Sequence, residues 1–268
     1  PLERAQRAGL PTFAFGTGVG DLSYWDKYPS ANRGNAKRWI AALKAARYVG
    51  VRGPRSQRWL REHGIDAEIL GDAALSIDYP QAKAPDEQGA IVGVNLGSHD
   101  PVSGDANGLF EAATSLVTHA LRKGYRVRYV SMHAIDHDIG LRLQTRIADP
   151  GFRLEPLAHD TGTLLRQLAQ CSLIVGQRLH TTVLACGLGI PNLSLSYQPK
   201  CLDFLESMEC QHLGVPTEGI TGAALVERFD WLAASADATS ASIRKARDAF
   251  RAKQKLRASE TIAACAAG

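Results

Sequence analysis

The stretch 171-CSLIVGQRLHTTVLACGLGIPNLSLSYQPK-200 contains three apolar segments in succession. A short polar insert separates the first segment from the second. The run 172-SLIVG-176 has the length and composition of a buried strand, and 191-PNLSLSY-197 has those of a second strand. Between them, residues 181–188 predict a helix. A strand, a crossover helix and another strand indicate a parallel α/β arrangement.

The polar insert between these elements contains Gln177, Arg178 and His180. In open parallel sheets, ligands bind beyond the carboxyl ends of the strands, where each loop leads into the next helix. The first turn of that helix presents unpaired N–H groups and a partial positive charge, which favour an anion. The three residues are therefore candidates for binding a negatively charged ligand.

Alternating strand and helix patterns continue on both sides of this stretch, which predicts an α/β fold with mainly parallel sheets. Strands are predicted within residues 11–18, 48–53, 67–70, 90–97, 125–132 and 152–154. Helices are predicted at 35–46, 54–64, 108–123, 139–147, 161–169, 200–208, 221–234 and 238–264. The polar segment 78–89 contains two prolines and predicts a linker. The expected domains are residues 1–82 and 88–215, followed by C-terminal helices in 216–268.

The composition of the 268-residue chain is that of an ordinary globular protein, with 45% hydrophobic and 22% charged residues. No apolar run reaches the roughly eighteen residues of a membrane span, and the N-terminus lacks a signal-peptide pattern, so we expect a cytoplasmic protein. The five cysteines include no CxxC pair, which argues against a disulfide framework and a structural zinc site. We expect them to be small buried hydrophobic residues.

The positive charges are unevenly distributed. From Arg33 to Arg61 the chain has nine Lys or Arg residues and no acidic residue, and from Arg244 to Arg257 it has seven cations against Asp248 alone. The first cluster is compatible with nucleic acid, a membrane surface or a small anionic substrate. For the second cluster we expect a solvated helix face.

Arg52 follows a predicted strand inside the first basic cluster, and Lys200 follows the predicted strand 191–197. Either side chain could bind a carboxylate or phosphate, or could be an ordinary surface residue. Asn95, in the predicted strand 90–97, is a further substrate-binding candidate.

The segment 133-HAIDHD-138 contains two residue types that bind metals, but its spacing matches no regular metal motif. It could instead contact substrate through His133 and Asp138, or cap a helix through Asp136 or Asp138. We take His133 and Asp138 as substrate-binding candidates and predict no metal site.

The glycine-rich segment 16-GTGVGD-21 does not have the GxGxxG spacing of a dinucleotide-binding loop. Glycine adopts positive φ angles without steric cost and lets another part of the backbone approach closely. The segment therefore predicts a turn with a close backbone approach.

Three segments together resemble the polysaccharide pyruvyl transferase family, over about residues 8–210. They are VRGPRSQRWLREHGI with Arg52, ILGDAAL with Gly71 and Asp72, and VGQRLHTTVLACGLGIPNLSLSYQPK with Arg178, His180, Tyr197 and Lys200. The RLH segment with its downstream Tyr and Lys is the specific part. Two features depart from the family pattern. The glycine-rich segment on the first strand of many members is absent, so we expect an incomplete N-terminal domain, and Gly53 stands where many members have Asp.

The resemblance implies a GT-B-like α/β fold, in which two Rossmann-like domains face a cleft, with the acceptor on the N-terminal side. It also implies transfer of the enolpyruvyl group of phosphoenolpyruvate to a sugar, which forms a pyruvate ketal and releases phosphate in cell-surface or exopolysaccharide assembly. His180 would be the general acid or base. Arg178 and Lys200 would clamp the donor, Arg52 would reach it from the first domain, and Tyr197 and Gln177 would contact substrate.

The implied partners are phosphoenolpyruvate as the donor substrate and a glycan or lipid-linked sugar acceptor, through which the protein could associate peripherally with a membrane. No cofactor and no nucleic acid are expected. One alternative is a nucleotide-sugar glycosyltransferase of the same architecture. Another is a non-catalytic binding protein for anions or nucleic acid, although the basic segment 33–61 has only Trp39, Tyr48 and Trp59 as aromatic residues for stacking on bases.

Overall fold

The computed structural model describes residues 2–19, 33–82, 89–97 and 106–266, and its contacts divide the chain into two compact units. The first unit comprises residues 1–77, 198–211 and 248–268, and the second comprises 78–197 and 212–247. Both units are discontinuous along the chain. The domains expected from the sequence, 1–82, 88–215 and 216–268, are continuous, and their boundaries stay predictions. Most of the predicted linker lies outside the described residues.

The first unit contains a three-stranded parallel sheet in the order β1-β2-β3. Its strands are β1 (Phe13–Thr17), β2 (Tyr48–Val51) and β3 (Glu68–Ile69). Its helices are α1 (Leu2–Arg7), α2 (Arg33–Lys44), α3 (Pro54–Glu62) and α8 (Pro199–Ser207), with a 3₁₀ turn at Ala73–Ser76. The core is built by the apolar faces of α2, β2 and α3, and its buried side chains include Leu43, Val49, Val51 and Leu60. Pro at the first position of α3 and Gly64 after its end delimit that helix, as the sequence predicts.

The second unit contains a six-stranded sheet in which all pairs of neighbours are parallel, in the order β6-β5-β4-β7-β8-β9. Its strands are β4 (Ile91–Asn95), β5 (Arg126–Tyr129), β6 (Phe152–Leu154), β7 (Leu173–Gly176), β8 (Asn192–Ser196) and β9 (Gly214–Pro216). Its helices are α4 (Ala106–Arg122), α5 (Ala134–Ile147), α6 (Thr161–Leu168), α7 (Leu179–Leu188) and α9 (Gly222–Ala234). The final helix, α10 (Ala236–Ala266), contributes residues to both units.

The strand order of this sheet reverses direction between β4 and β7. From β4 the chain moves outward to β5 and β6, then returns to place β7 on the other side of β4. In open α/β sheets, such a switch point leaves a crevice at the carboxyl ends of the two strands, because the connections leave in opposite directions. Asn95 ends β4 and Gln177 follows β7, so both candidates lie at this point.

Most predicted elements are present, and two differences concern the second unit. Helix α5 begins at Ala134, five residues before the predicted start at 139, so the segment 133–138 is mainly the first turns of a helix. The short edge strand β9 was not expected, because two of its three residues, Gly214 and Pro216, are typical of turns and loops.

The expectation of a solvated face on the basic segment 244–257 is wrong for its second half. Within the first unit, Arg251 Nε donates to the carbonyl of Leu75 (2.8 Å), and Gln254 Nε2 donates to that of Leu70 (2.9 Å). Arg257 Nε forms an ion pair with Glu68 Oε2 at 2.7 Å. Arg251 and Gln254 therefore satisfy backbone carbonyl groups within residues 70–77, and Arg257 pairs with a side chain.

Of the five cysteines, Cys171, Cys186, Cys201 and Cys210 are buried free thiols and Cys265 is exposed. Four of the five therefore fit the expectation of buried hydrophobic residues. Within residues 2–19, 33–82, 89–97 and 106–266, none of the helices has the length and apolar character required to cross a membrane.

Candidate active site

Arg178 is the N-cap residue of α7. Its guanidinium group binds the carboxylate of Asp136 through two nitrogen atoms, Nε and Nη2. Nη2 lies 2.6 Å from Oδ1, and Nε lies 3.2 Å from both carboxylate oxygens. The Asp136 side chain is completely buried, whereas 27% of the Arg178 side chain is exposed. The hydrogen bond that Arg178 donates to Asp136 raises the pKa of Arg178, so this residue stays cationic. A buried carboxylate thus fixes the position of a partly exposed cation.

Gly97 makes this pairing possible. Arg178 follows β7 and Asp136 follows β5, and these two strands lie on opposite sides of β4. The guanidinium group must therefore pass over the end of β4, where a Cβ atom on Gly97 would lie 2.7 Å from Arg178 Nε. Glycine is required here because of this close approach.

Asn95 and Gln177 form the support beneath Arg178. Asn95 Oδ1 accepts hydrogen bonds from Arg178 N (3.2 Å) and Thr181 Oγ1 (3.0 Å), and Asn95 Nδ2 donates to the carbonyl of Val130 (3.0 Å). Gln177 Oε1 accepts from Gly97 N at 2.7 Å. Asn95 is fully buried and Gln177 is 4% exposed. Both side chains therefore hold the loops that follow β4 and β7, and a role of either in direct substrate contact stays a prediction.

Tyr197 and His180 complete the group at the carboxyl ends of these strands. Tyr197 follows β8, is partly buried, and its hydrogen bond to Arg178 also contributes to the raised pKa of that residue. His180 is exposed in the first turn of α7. Among the described residues, no side chain or backbone group is hydrogen-bonded to its ring. Four of the predicted residues, Gln177, Arg178, His180 and Tyr197, therefore lie on two adjacent strand ends.

The segment 133–138 differs from the sequence-based hypotheses. His133, and neither Asp136 nor Asp138, is the N-cap residue of α5, where its ring accepts a hydrogen bond from Ile135 N at 3.4 Å. Asp138 is exposed one turn further along the helix. Substrate contact by His133 or Asp138 stays a prediction. The described part of the chain contains no cluster of three or more His, Cys, Asp or Glu residues able to hold a metal ion.

Arg52 in the first unit has an arrangement similar to that of Arg178. It directly follows β2, and its Nε lies 2.8 Å from Asp72 Oδ2, with only 14% of the Arg52 side chain exposed. The guanidinium group packs on Gly18, where a Cβ would lie 2.6 Å from Nη1. Gly16 has a φ of +61° and lies against the backbone of residues 71–73. The predicted close backbone approach is therefore confirmed for Gly16, which lies within β1 and not in a turn. At Gly18 the approaching group is the Arg52 side chain, and Gly20 and Asp21 lie outside the described residues.

Lys200 lies in the first turn of α8, which belongs to the first unit by its contacts. With Arg58, Trp59 and Glu62 it lines a groove of about 260 Å³ between α3 and α8. The structure therefore groups Lys200 with Arg52 in the first unit, and Arg178 and Tyr197 in the second.

Two carboxylates that fix the candidate arginines, Asp136 and Asp72, were not among the predicted site residues. Asp136, Gly140 and Leu143 are the buried positions of α5, and their i, i+4, i+7 spacing is visible in the sequence. That spacing would have marked Asp136, and not Asp138, as the inward-facing acid. For Asp72, the sharp Gly71-Asp72 stop after β3 was the available signal.

Solved structures with a similar fold include UDP-N-acetylglucosamine 2-epimerases from two organisms. The Neisseria meningitidis protein, bound to UDP-GlcNAc, matches with a TM-score of 0.66 and 10% identity, over 97% of this chain and 72% of that one. The putative Listeria monocytogenes enzyme matches with a TM-score of 0.63 and 14% identity, over 91% of this chain and 65% of that one. The glycotransferase of kitacinnamycin matches with a TM-score of 0.58 and 16% identity, over 98% and 72%.

These likenesses confirm the α/β, GT-B-like fold expected from the sequence, with parallel Rossmann-like sheets. The chain spans 65% of the Listeria protein's length, and the identities are too low to carry function from one protein to the other. Among curated proteins, no sequence relative was found. The sequence model of the family described as polysaccharide pyruvyl transferase matches residues 2–199, which include Arg52, Arg178, His180 and Tyr197. By this match over most of its length, the chain belongs to the polysaccharide pyruvyl transferase family.

Proposed function

We propose that this protein transfers the enolpyruvyl group of phosphoenolpyruvate to a sugar of a cell-surface or exopolysaccharide, forming a pyruvate ketal and releasing phosphate. The observation that carries the proposal is the group at the carboxyl ends of β7 and β8. There, Arg178 is fixed by buried Asp136, and an exposed His180 lies two positions further along the chain. Membership of the family supports the same conclusion.

The proposed donor is anionic at two places, since it carries a carboxylate and a phosphate group. Arg178 can bind either group, because its planar guanidinium presents several N–H donors in a fixed arrangement. The beginning of α7 adds backbone N–H groups and a partial positive charge. Asp136 neutralises part of the charge of Arg178, so tight binding of the donor requires further cations. Arg52 and Lys200 are the candidate cations of the first unit, and their contact with the donor stays a prediction.

The reaction adds two acceptor oxygens to one carbon. In the first step, an acceptor hydroxyl loses its proton and bonds to C2 of phosphoenolpyruvate, while the methylene carbon gains a proton and becomes a methyl group. In the second step, another hydroxyl of the same sugar bonds to C2, the bond from C2 to the phosphate oxygen breaks, and phosphate leaves with the electron pair. One proton goes to the methyl group and the other to phosphate or solvent. His180 is the proposed proton donor or acceptor.

Incubation of the protein with phosphoenolpyruvate and a mixture of bacterial glycans, with measurement of phosphate release, tests this proposal. We expect release that depends on the glycan, together with an acid-labile ketal on the product. Two of the solved structures with a similar fold are named for UDP-GlcNAc epimerases. A nucleotide sugar is therefore the informative second donor. Nucleotide release from UDP-sugars, without phosphate release from phosphoenolpyruvate, would contradict the proposal and support a glycosyltransferase.

A further inference from the structure

Helix α3 in the first unit begins without a cap from its own chain segment. Gly53, its N-cap residue, has no side chain to accept a hydrogen bond from the first-turn N–H groups. Those groups normally require such an acceptor, and Ser, Thr, Asp or Asn usually supplies it. The acceptor here comes from a position 148 residues further along the chain.

Asp203 of α8 supplies it. Its Oδ1 accepts hydrogen bonds from Arg55 N (2.8 Å) and Ser56 N (3.3 Å), and its Oδ2 accepts from Ser56 Oγ (2.6 Å). Asp203 is 3% exposed and Ser56 is 1% exposed. Ser56 Oγ also accepts a hydrogen bond from Val19 N at 3.0 Å, next to Gly18, on which Arg52 packs. The carboxylate therefore joins the start of α3, the glycine-rich loop and α8.

Glycine at position 53 is required for this contact. A Cβ atom there would lie 2.1 Å from the main-chain oxygen of Asp203 and 2.4 Å from its Oδ1. The φ of Gly53 is −155°, an extended value that any residue adopts, so the requirement is for space and not for conformation. A side chain at position 53 and the carboxylate of Asp203 cannot occupy this space together.

Asp203 connects the two chain segments that carry the candidate substrate-binding cations of the first unit. Arg52 directly precedes Gly53, and Lys200 precedes Asp203 by three residues, about one turn, on α8. We infer that Asp203 is a positioning residue: by capping α3 from α8, it fixes Lys200 relative to Arg52 and so sets how both cations meet an anionic substrate. This role rests on the proposed phosphoenolpyruvate chemistry, although the hydrogen bonds themselves do not.

The test compares Asp203→Ala and Asp203→Asn with the wild-type protein in two measurements. The first is hydrogen–deuterium exchange in the peptides that cover 53–60 and 198–207. The second is steady-state kinetics with phosphoenolpyruvate as the varied substrate. For Asp203→Ala we expect faster exchange in both peptides and a KM for phosphoenolpyruvate raised about 10- to 100-fold, since small displacements of binding groups have effects of this size. Asp203→Asn keeps one acceptor oxygen and should be intermediate.

Asp160→Ala is the matched control, because Asp160 caps α6 through the same two kinds of bond. It accepts from Thr163 N at 2.8 Å and from Thr163 Oγ1 at 2.7 Å. Its loss should speed exchange only around 160–166 and leave the KM unchanged. Gly53→Ala tests the geometry independently, since it should raise the KM although the carboxylate of Asp203 is still present.

If Asp203→Ala has an unchanged KM for phosphoenolpyruvate and only a smaller fraction of active protein, Asp203 serves the stability of the fold alone. That result would overturn the inference. Unchanged exchange in 198–207 would overturn it as well. If the wild-type protein releases no phosphate from phosphoenolpyruvate, the proposed function fails. The exchange measurement then decides alone whether Asp203 fixes α8 against α3.

Discussion

Arg178 and Asp136 form an ion pair across the end of β4, with Nη2 and Oδ1 2.6 Å apart. The two residues come from opposite sides of the strand at which the sheet changes direction. The acid is completely buried and the base is partly exposed, so the pair fixes a cation at the surface of the crevice. Breaking such a pair by removing one partner typically costs about 3–5 kcal/mol, because a buried charge is left alone.

Replacement of Asp136 by Asn should weaken substrate binding, because the Arg178 guanidinium group loses the carboxylate that holds it in place. The amide keeps the volume and one acceptor oxygen but loses the charge-assisted bonds, which contribute about 1.5–3 kcal/mol. We expect kcat/KM for phosphoenolpyruvate to fall about tenfold or more in steady-state assays. Asp149→Asn, which changes an exposed carboxylate just beyond α5, is the control and should have no effect. Equal activities of Asp136→Asn and wild type would contradict the positioning role of the ion pair.

Replacement of His180 by Ala tests the proposed acid or base. The side chain is exposed, so we expect the free energy of unfolding to change by less than about 0.5 kcal/mol. Loss of a general acid or base should lower kcat about 10²- to 10⁴-fold. Phosphate release and thermal unfolding measure the two effects separately. His159→Ala, at another exposed position, should leave both unchanged. Near-normal activity of His180→Ala would exclude His180 as the catalyst.

Replacement of Gly97 by Ala should displace the Arg178 side chain while the sheet stays folded. The new Cβ would lie 2.7 Å from Arg178 Nε, and a long side chain can move away more easily than a backbone can. We expect a loss of activity that approaches the loss in Arg178→Ala. A double-mutant cycle checks the mechanism: Gly97→Ala should add little in the Arg178→Ala background, because both changes act on the same group. Additive losses would show that Gly97 acts independently of Arg178.

The ion pairs of Glu68 should make the stability of the first unit dependent on pH. Arg257, Lys253 and Tyr48 hydrogen-bond its carboxylate and, with Arg257 as the largest cause, lower its pKa from the usual 4.5 to about 2. Since the folded-state pKa is below the unfolded value, this stabilisation is present above pH 4.5 and is lost as the pH falls towards 2. Thermal unfolding of Glu68→Gln should show a lower melting temperature than wild type at pH 7.

The difference between Glu68→Gln and wild type should shrink as the pH is lowered from about 4.5 to 2. Glu260→Gln is the control, because its half-exposed carboxylate pairs with Arg257 within one turn of α10. Such surface pairs contribute little, so Glu260→Gln should resemble wild type at every pH. A difference for Glu68→Gln that is constant from pH 7 to pH 2 would show that these ion pairs do not stabilise the fold.

The alternating patterns in the sequence were sufficient to predict the α/β class, most of the strands and helices, and the loop that carries Gln177, Arg178 and His180. Period and composition are local properties, so local sequence reveals them. The family resemblance, confirmed by the match to residues 2–199, added the specific ligand hypothesis. The sequence analysis placed the start of α5 too late and considered the wrong N-cap residues. The reason is that the six residues 133–138, which include His, Ala and Asp, are compatible with either a loop or a helix.

The partners of the candidate residues were decided by the tertiary structure. Arg178 and the residue it binds, Asp136, are 42 positions apart in the sequence, and Arg55 and Asp203 are 148 positions apart. At such separations a single sequence contains no signal of contact. The basic segment 244–257 illustrates the same point, because its cations bind carbonyl groups that the sequence alone could not pair with them. The sequence by itself determined which elements form and which side chains end the strands. The folded structure decided which carboxylates fix those side chains, because strand order and close approach at Gly97 and Gly53 exist only after the sheets and helices have packed.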